Sequence, residues 1–369
     1  MKIKELELRY FRSYRHFKCV FDDNLNIIIG PNGSGKTNIL ESLVFIANTH
    51  SFRTNDDEIL IHKDADFAKI ELSTEKQRLK AVISKNGKSL YLGDQNIKRS
   101  SDFIGNLSIV LFEPSELDLF NDSPRIRRRL LDLEIGKVSR KYLLDSITYT
   151  KLLKDKNALL KKESCDEVYL SLLNEKMVPL IIEIVKKRKE FTDLINRYLK
   201  DYYQKLTASS DVVRVEYKTE MSLSGDEVKE MLDKAIKRDL FLTYASKGVH
   251  KDDLIFYFNE EKIENFASQG QKRMVLIAFK LSLMRYIESV TKDKPVLLLD
   301  DILSELDLKN SERLLNLLDD DMQIIITTTD LKDISIRKKY RLFNIERKEG
   351  LWQTKNHIIQ PKTYRSLKV

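Results

Sequence analysis

The sequence predicts an α/β nucleotide-binding fold built from both ends of the chain, with a mostly helical domain inserted between them. Three observations predict it. A short apolar run, "NLNIIIG", leads into a complete G-x-x-x-x-G-K-[ST] motif at residues 30–37. From Gly248 onward, short apolar strands alternate with helical segments. Between these ends, from about Ser123 to Leu206, the chain is Leu/Ile/Lys-rich and helical in period.

In chain order, "IKELELRYF" alternates charged and apolar residues and reads as a strand, not as a secretory leader. "QRLKAVISKNGKSLYLGDQNIKR" carries two turn signals, Asn86-Gly87 and Gly93-Asp94, so an antiparallel meander is expected. "LSIVLF" (107–112) is a further buried strand. Ser123-Pro124 fits an N-cap followed by the first helical position. Beyond it Leu173, Met177, Leu180, Ile184, Phe191, Leu194 and Tyr198 trace an apolar seam, with Pro179 placed to kink or divide the helix. Strand character returns at 211–217, and a helix follows through about Leu242. The last third reads "LIFYF", helix, "PVLLLDD", helix near 309–319, "MQIIITTTD" and "YRLFNIERK". The domains expected are 1–114 and 246–369, forming one α/β head, and a lid at 115–245.

A chain of 369 residues, 42% hydrophobic and 33% charged, has the composition of a folded soluble protein, which excludes general disorder. No apolar run approaches the ~18 residues of a membrane span. Cys19 and Cys165 form no disulfide framework, so a cytoplasmic protein with no membrane partner is expected. The net charge is +8. Residues 121–210 hold 20 Lys and Arg against 13 Asp and Glu, most sharply at Arg125, Arg127, Arg128 and Arg129. Such a run suits a polyanion such as DNA. A solvated helix face with internal ion pairs is the alternative.

The motif at 30–37 comprises Gly30, Pro31, Asn32, Gly33, Ser34, Gly35, Lys36 and Thr37. Its glycines let successive N–H groups turn inward as an anion nest at a helix N-terminus. Lys36 is expected to reach the β- and γ-phosphates of ATP, and Thr37 to offer its hydroxyl to Mg²⁺. Such a loop works with an acid at the tip of a neighbouring strand. "PVLLLDD" ends in Asp300, assigned to the Mg²⁺ shell, and Asp301, the candidate to polarise the attacking water. One polar knot remains: Ser268, Gln269, Gly270 and Gln271 precede an apolar helix face of Met274, Ile277, Ala278, Leu281 and Met284. Taken alone, Ser268 is a helix N-cap.

Together these stretches resemble ABC-type ATPases of the SMC-like branch, and within them the RecF family. The P-loop, "SQGQ" (268–271), "LLLDD" (297–301) and "SELD" (304–307) occur in that order, with "YFRSY" (10–14), "SFRTNDDEILI", "SPRIRRRLLD" and "GVHKDDL" as further segments. The resemblance implies an ABC-type head, a mixed sheet plus an antiparallel β subdomain, with a helical lid. It implies a homodimer that closes on ATP, in which Ser268 and Gly270, with Gln269 and Gln271 nearby, contact the γ-phosphate on the opposite head. It places Asp307 facing the partner head and Arg12 near the nucleotide. It further implies DNA as ligand (single-stranded, gapped or duplex), RecO and RecR as partners, recombinase loading at gapped DNA and a role in the SOS response.

Departures from the family pattern are visible. Asp301 stands where most relatives of this class have Glu, so hydrolysis should be slow. No Q-loop glutamine is evident, and Glu113 occupies its place. Thr328 or Asp330 stands where a switch histidine is usual, and Lys251 replaces an expected Arg. Two rival readings remain: an ATP-gated switch module without catalysis, and a transporter ATPase subunit. The basic helical insert and the single-glycine signature argue against the second.

Overall fold

The computed structural model describes the chain except residues 163–165, 332–335, 337, 349–350 and 360–369, so Cys165 lies outside the described residues. Strands β1 (Ile3–Phe11) and β2 (Tyr14–Val20) form a tight antiparallel pair. In β1 Leu6 and Leu8 are buried in alternation, while Ile3 and Phe11 are buried out of that phase, beside a register shift at Ile3/Glu5 and a positive φ at Tyr10. β3 (Leu25–Ile29) then feeds the P-loop and α1 (Lys36–Asn48), whose apolar residues are buried. β4 (Phe67–Thr74), β5 (Arg78–Ser84), β6 (Gly87–Leu92) and β7 (Gln95–Ile97) complete the meander. Ser84 pairs with Gly87, so the first tight turn is Lys85-Asn86, one residue earlier than expected. The second falls at Gly93-Asp94, as expected. After α2 (Ser100–Phe103) comes β8 (Ile109–Phe112).

The middle of the chain supplies α3 (Pro124–Val138), α4 (Arg140–Leu160), α5 (Glu167–Thr207), β9 (Val213–Lys218), α6 (Gly225–Lys234), α7 (Ile236–Leu242), β10 (Asp253–Phe258), β11 (Glu261–Lys262) and α8 (Ile263–Phe266). The remainder is α9 (Gln269–Thr291), β12 (Val296–Asp300), α10 (Ile302–Glu305), α11 (Leu308–Leu317), β13 (Ile324–Thr328), β14 (Tyr340–Lys348) and β15 (Leu351–Ile359).

Two compact units result. The first comprises Met1–Glu116, Lys205–Ser209 and Leu283–Val369. It holds one sheet in the order β2-β1-β4-β5-β6-β7 and another in the order β15-β14-β3-β13-β12-β8. In the latter β8, β12, β13, β3 and β14 run parallel, while β15 returns antiparallel on β14. β12 and β13 are buried along their whole length, as central parallel strands should be. A continuous apolar core, including Leu43, Phe45, Leu298 and Ile325, fills this unit, and Cys19 is buried in it as a free thiol.

The second unit comprises Leu117–Gln204 and Ser210–Ser282. It therefore extends past the 245/246 boundary read from the sequence. The reason is β10. Its apolar run reads as part of the α/β head, but it pairs antiparallel with β9 over six residues, in a small sheet ordered β11-β10-β9. α5 continues through Pro179, which does not divide it. Its buried face is Leu173, Met177, Ile181, Ile184, Arg188, Phe191, Ile195 and Leu199, whereas the expected Leu180, Leu194 and Tyr198 are half-buried. The seam read from the sequence is right at Leu173, Met177, Ile184 and Phe191 and is one position short at Leu180, Leu194 and Tyr198, where Ile181, Ile195 and Leu199 are buried instead.

Candidate nucleotide-binding site

The P-loop lies in the first unit at the carboxyl edge of the parallel strands, where ligands of open α/β sheets bind. Gly35 takes φ +91°, the left-handed region. A Cβ there would come within 2.8 Å of Ser13 Oγ and 2.9 Å of Tyr14 Oη. The "YFRSY" segment thus packs beneath the loop, and Tyr14 Oη donates to Ser34 O at 3.3 Å. Lys36 is buried and its ammonium donates to the carbonyls of Gly30 (2.7 Å) and Pro31 (3.1 Å). Burial pulls its pKa down, against the opposing fields of Asp301 and Asp300.

The two carboxylates at the end of β12 differ. Asp300 Oδ1 accepts from Thr37 Oγ1 at 3.1 Å and from Thr327 Oγ1 at 2.6 Å. Burial raises its pKa, and the neighbouring Asp301 charge adds to the rise. Asp301 itself sits at φ +51°, held by N–H bonds of 3.1 Å to Thr327 O and Oγ1. Among the described residues, Asp301 Oδ1 and Ser34 Oγ are buried without a hydrogen-bond partner. Buried polar groups are almost always paired, so a P-loop hydroxyl and a strand-tip carboxylate left open fit a site that a ligand completes. A hydroxyl and a carboxylate within 3.1 Å also provide the hard oxygen donors that suit Mg²⁺.

Arg12 is anchored on α1. It takes φ +51°, and its guanidinium forks onto buried Glu41 of α1, at 2.9 and 2.6 Å, with a further bond to Ile59 O at 3.2 Å. Ser51 Oγ donates to the same carboxylate at 2.5 Å. Arg53, not singled out from the sequence, lies 3.7 Å from Glu41, donates to Asn38 Oδ1 at 3.1 Å and acts electrostatically on Asp300. The signal for it was "SFRTNDDEILI", where nothing local distinguishes an arginine beside a P-loop helix from a solvated one.

Glu113 follows β8 and accepts from Ser115 Oγ at 2.6 Å. Thr328 is buried, with its hydroxyl donated to Asp330 O at 2.6 Å. In "SELD", Ser304 Oγ donates to Asp301 O at 2.7 Å. Asp307 caps α11, accepting from Asn310 N and Nδ2 at 2.8 Å each, and is exposed.

Ser268, Gln269, Gly270 and Gln271 belong to the second unit, at the start of α9. Ser268 Oγ accepts from Gln271 N at 3.2 Å, and Gln271 Oε1 accepts from Ser268 N at 2.8 Å, a reciprocal capping box. Ser268, Gln269 and Gly270 are exposed. Behind them, buried Lys272 donates to Asn121 Oδ1 (3.0 Å) and Glu264 O (3.1 Å), anchoring the helix start.

The basic cluster splits. Arg127 is a correction: expected on a DNA surface, it is buried, bonded in a fork to Asp253 at 2.7 and 2.9 Å and to the carbonyls of Leu119 and Asp122. Its counter-charge comes from "GVHKDDL", 126 residues away. Arg125 and Arg129 are exposed, and half-buried Arg128 donates to Asp252 O at 2.7 Å. Burial and the Arg188 charge lower the Arg128 pKa.

No helix among the described residues is long and apolar enough to cross a membrane. The RecF/RecN/SMC N terminal domain family matches residues 2–350. The DNA replication and repair protein RecF of Streptococcus gordonii is 35% identical over 356 residues, 94% of this chain and 98% of the relative. RecF of Lactobacillus gasseri is 34% identical over 94% of this chain and 97% of the relative, and RecF of Bacillus subtilis 33% over 90% and 95%. Among solved structures, the recombination mediator protein RecF with ATP, of the RecFOR pathway, superposes with a TM-score of 0.85 at 26% identity, covering 96% of this chain and 97% of that one. An SMC head bound to the C-terminal winged-helix domain of ScpA has a TM-score of 0.60 at 18% identity over 97% and 98%, which shows the shared head fold. These matches run along almost the whole length: the chain belongs to the RecF family of DNA replication and repair proteins, with the fold of an ABC-type ATPase head.

Proposed function

We propose that the chain is an ATP-driven, DNA-binding dimer that hydrolyses ATP slowly and helps load recombinase at gapped DNA, with RecO and RecR as partners, in the cytoplasm. One observation carries this reading. The P-loop and both strand-tip carboxylates gather in the first unit, while the SQGQ turn stands exposed at the start of α9 in the second. An exposed helix N-terminus with a small hydroxyl and free N–H groups suits a γ-phosphate presented by a second copy.

In this scheme the nest at Gly30, Pro31, Asn32, Gly33, Ser34 and Gly35 cradles the phosphates, and Lys36 leaves its carbonyl partners to reach the β- and γ-oxygens. Thr37 and Asp300 would hold Mg²⁺, which supplies charge neutralisation when bound. Asp301 takes the proton-accepting side of the attacking water. Its carboxylate is one methylene shorter than Glu, which supports a slow step and DNA stimulation by improved positioning. Ser268, Gln269, Gly270 and Gln271 act on the partner copy's ATP, with Asp307 facing that copy. Arg12, anchored on Glu41, lies near the nucleotide. Arg125, Arg128 and Arg129 meet DNA through phosphate contacts that carry little sequence information. The second reading, a switch without turnover, is favoured by the same short Asp301, and DNA-dependent phosphate release separates the two.

The test is complementation, read by light scattering. Lys36→Met should fail to dimerise because it does not hold ATP, and Ser268→Arg because it blocks the partner's phosphate. In a mixture, one of the two composite sites is intact, so ATP-dependent association should return. If Ser268→Arg dimerises normally on its own, the SQGQ turn is only a helix start.

A further inference from the structure

Within the second unit a cleft of about 350 Å³ lies alongside the N-terminal half of α3. Arg125, Arg128 and Arg129 line it, at the i, i+3 and i+4 spacing that puts three like charges on one helix face. Like charges so placed destabilise a helix by a few tenths of a kcal/mol per pair unless something answers them. The natural intrahelical answer is Asp132, which acts on Arg128 while its Oδ1 is committed elsewhere. It accepts from Arg188 Nη2 at 2.8 Å and from Tyr142 Oη at 2.6 Å. Among the described residues, neither Arg125 nor Arg129 has a hydrogen bond or ion pair to another.

The opposite wall adds a second, independent feature. Ser146 of α4 lines the same cleft, and its Oγ is buried with no hydrogen-bond partner among the described residues. His250, also on the wall, is held uncharged near neutrality, since burial pushes its pKa down to about 4, and its Nδ1 is paired with Tyr149 Oη at 2.7 Å. Of the other charged side chains of the wall, Arg188 pairs with Asp132 and also with Asp252. The cleft therefore gathers the three arginines of α3 beside one buried, unpartnered hydroxyl, with Asp132 held by Arg188.

We propose that this cleft is a discrete phosphate-binding site that takes one phosphodiester group of a DNA strand, the arginines supplying charge-assisted donors and Ser146 Oγ a neutral one. This deepens the DNA reading above and rests on it: a single built pocket, and not a diffuse basic face, holds the backbone. The same chemistry would accept free inorganic phosphate, so the test has two arms.

DNA affinity of the full chain is measured by fluorescence anisotropy over a salt series with ATP present, and phosphate binding by calorimetry with inorganic phosphate alone. The double variant Arg125→Gln/Arg129→Gln should weaken DNA binding and lower the salt slope by about one, the single phosphate that the cleft neutralises. Ser146→Ala removes a side-chain atom that bonds nothing in the fold. It should weaken DNA binding about three- to ten-fold with the salt slope unchanged, as expected for one neutral hydrogen bond. Inorganic phosphate should bind the wild type and compete with DNA, and bind neither variant as well. Phosphate bound in the cleft without competition would assign it to a free anion and overturn the DNA assignment. If Ser146→Ala leaves both arms unchanged, the cleft holds no phosphate, even where the arginine variant weakens DNA through its field. If the wild type itself does not bind DNA, the broader reading fails instead.

Discussion

The nucleotide site of the first unit and the polar network of the second are both built from buried charged groups, and they are finished differently. In the second unit Arg188 donates to Tyr142 Oη (3.0 Å), Val249 O (3.0 Å), Asp252 (2.8 Å) and Asp132 (2.8 Å). Tyr217 Oη closes on the same Asp252. In the first unit Lys36 rests on backbone carbonyls, Asp300 is pushed toward protonation by burial, Asp301 is held at a positive φ, and Ser34 Oγ and Asp301 Oδ1 are open. A network that holds a fold closes on itself, because an uncompensated buried charge is expensive. A site made for a charged ligand leaves its groups for that ligand to complete.

The comparison can be broken most forcefully at Arg188. Arg188→Met strands Asp252 and Asp132 and should lower the stability of the second unit by about 3–5 kcal/mol. A urea midpoint equal to that of the wild type would show that the network is peripheral. A pH experiment comes next. His250 has a folded pKa of about 4, below its unfolded 6.5, so the unfolded chain binds the extra proton between those values. Stability is therefore full above pH ~6.5 and falls as pH drops toward 4, by up to about 3 kcal/mol. His250→Gln should flatten this part of the profile in urea melts at pH 7, 5.5 and 4.5, and an unchanged slope would assign the pH dependence to other groups.

Smaller effects sharpen the contrast at the two ends of the proposed ATP site. Ser268→Ala removes half of the capping box and should cost about 1 kcal/mol, again read as a urea midpoint. Asp301→Asn should change stability by less than about 0.5 kcal/mol. Its Oδ1 bonds nothing in the protein, Asn tolerates the left-handed backbone, and the repulsion with Asp300 is relieved. Phosphate release by the same variant should nevertheless fall about 10²-fold or more. A large loss of stability with turnover intact would make Asp301 a structural residue and move catalysis elsewhere.

What the sequence alone determined is what neighbouring residues settle among themselves. The P-loop needs its glycines and Lys36 contiguous, because a strand-to-helix turn is a local event. The same holds for the apolar central strands β3, β12 and β13, the meander, and the Ser123-Pro124 and Ser268 helix starts. Motifs in order along the chain were enough to identify the family.

Tertiary structure decided everything that depends on partners far away in the chain. Asp300 meets Thr37 across 263 residues, and no local pattern says which of two adjacent aspartates does so. Four arginines within five residues look alike in the sequence. Only the fold delivers Asp253 to Arg127 and buries it, while Arg125 and Arg129 stay exposed. Arg188 hides in an apolar face because its acids come from α3 and from the segment before β10, which no periodicity along α5 reports. β10 reads as one more strand of the α/β head, yet it pairs antiparallel with β9. Apolar periodicity reports that a strand is buried, whereas the choice of partner depends on which edge the folded chain brings to it.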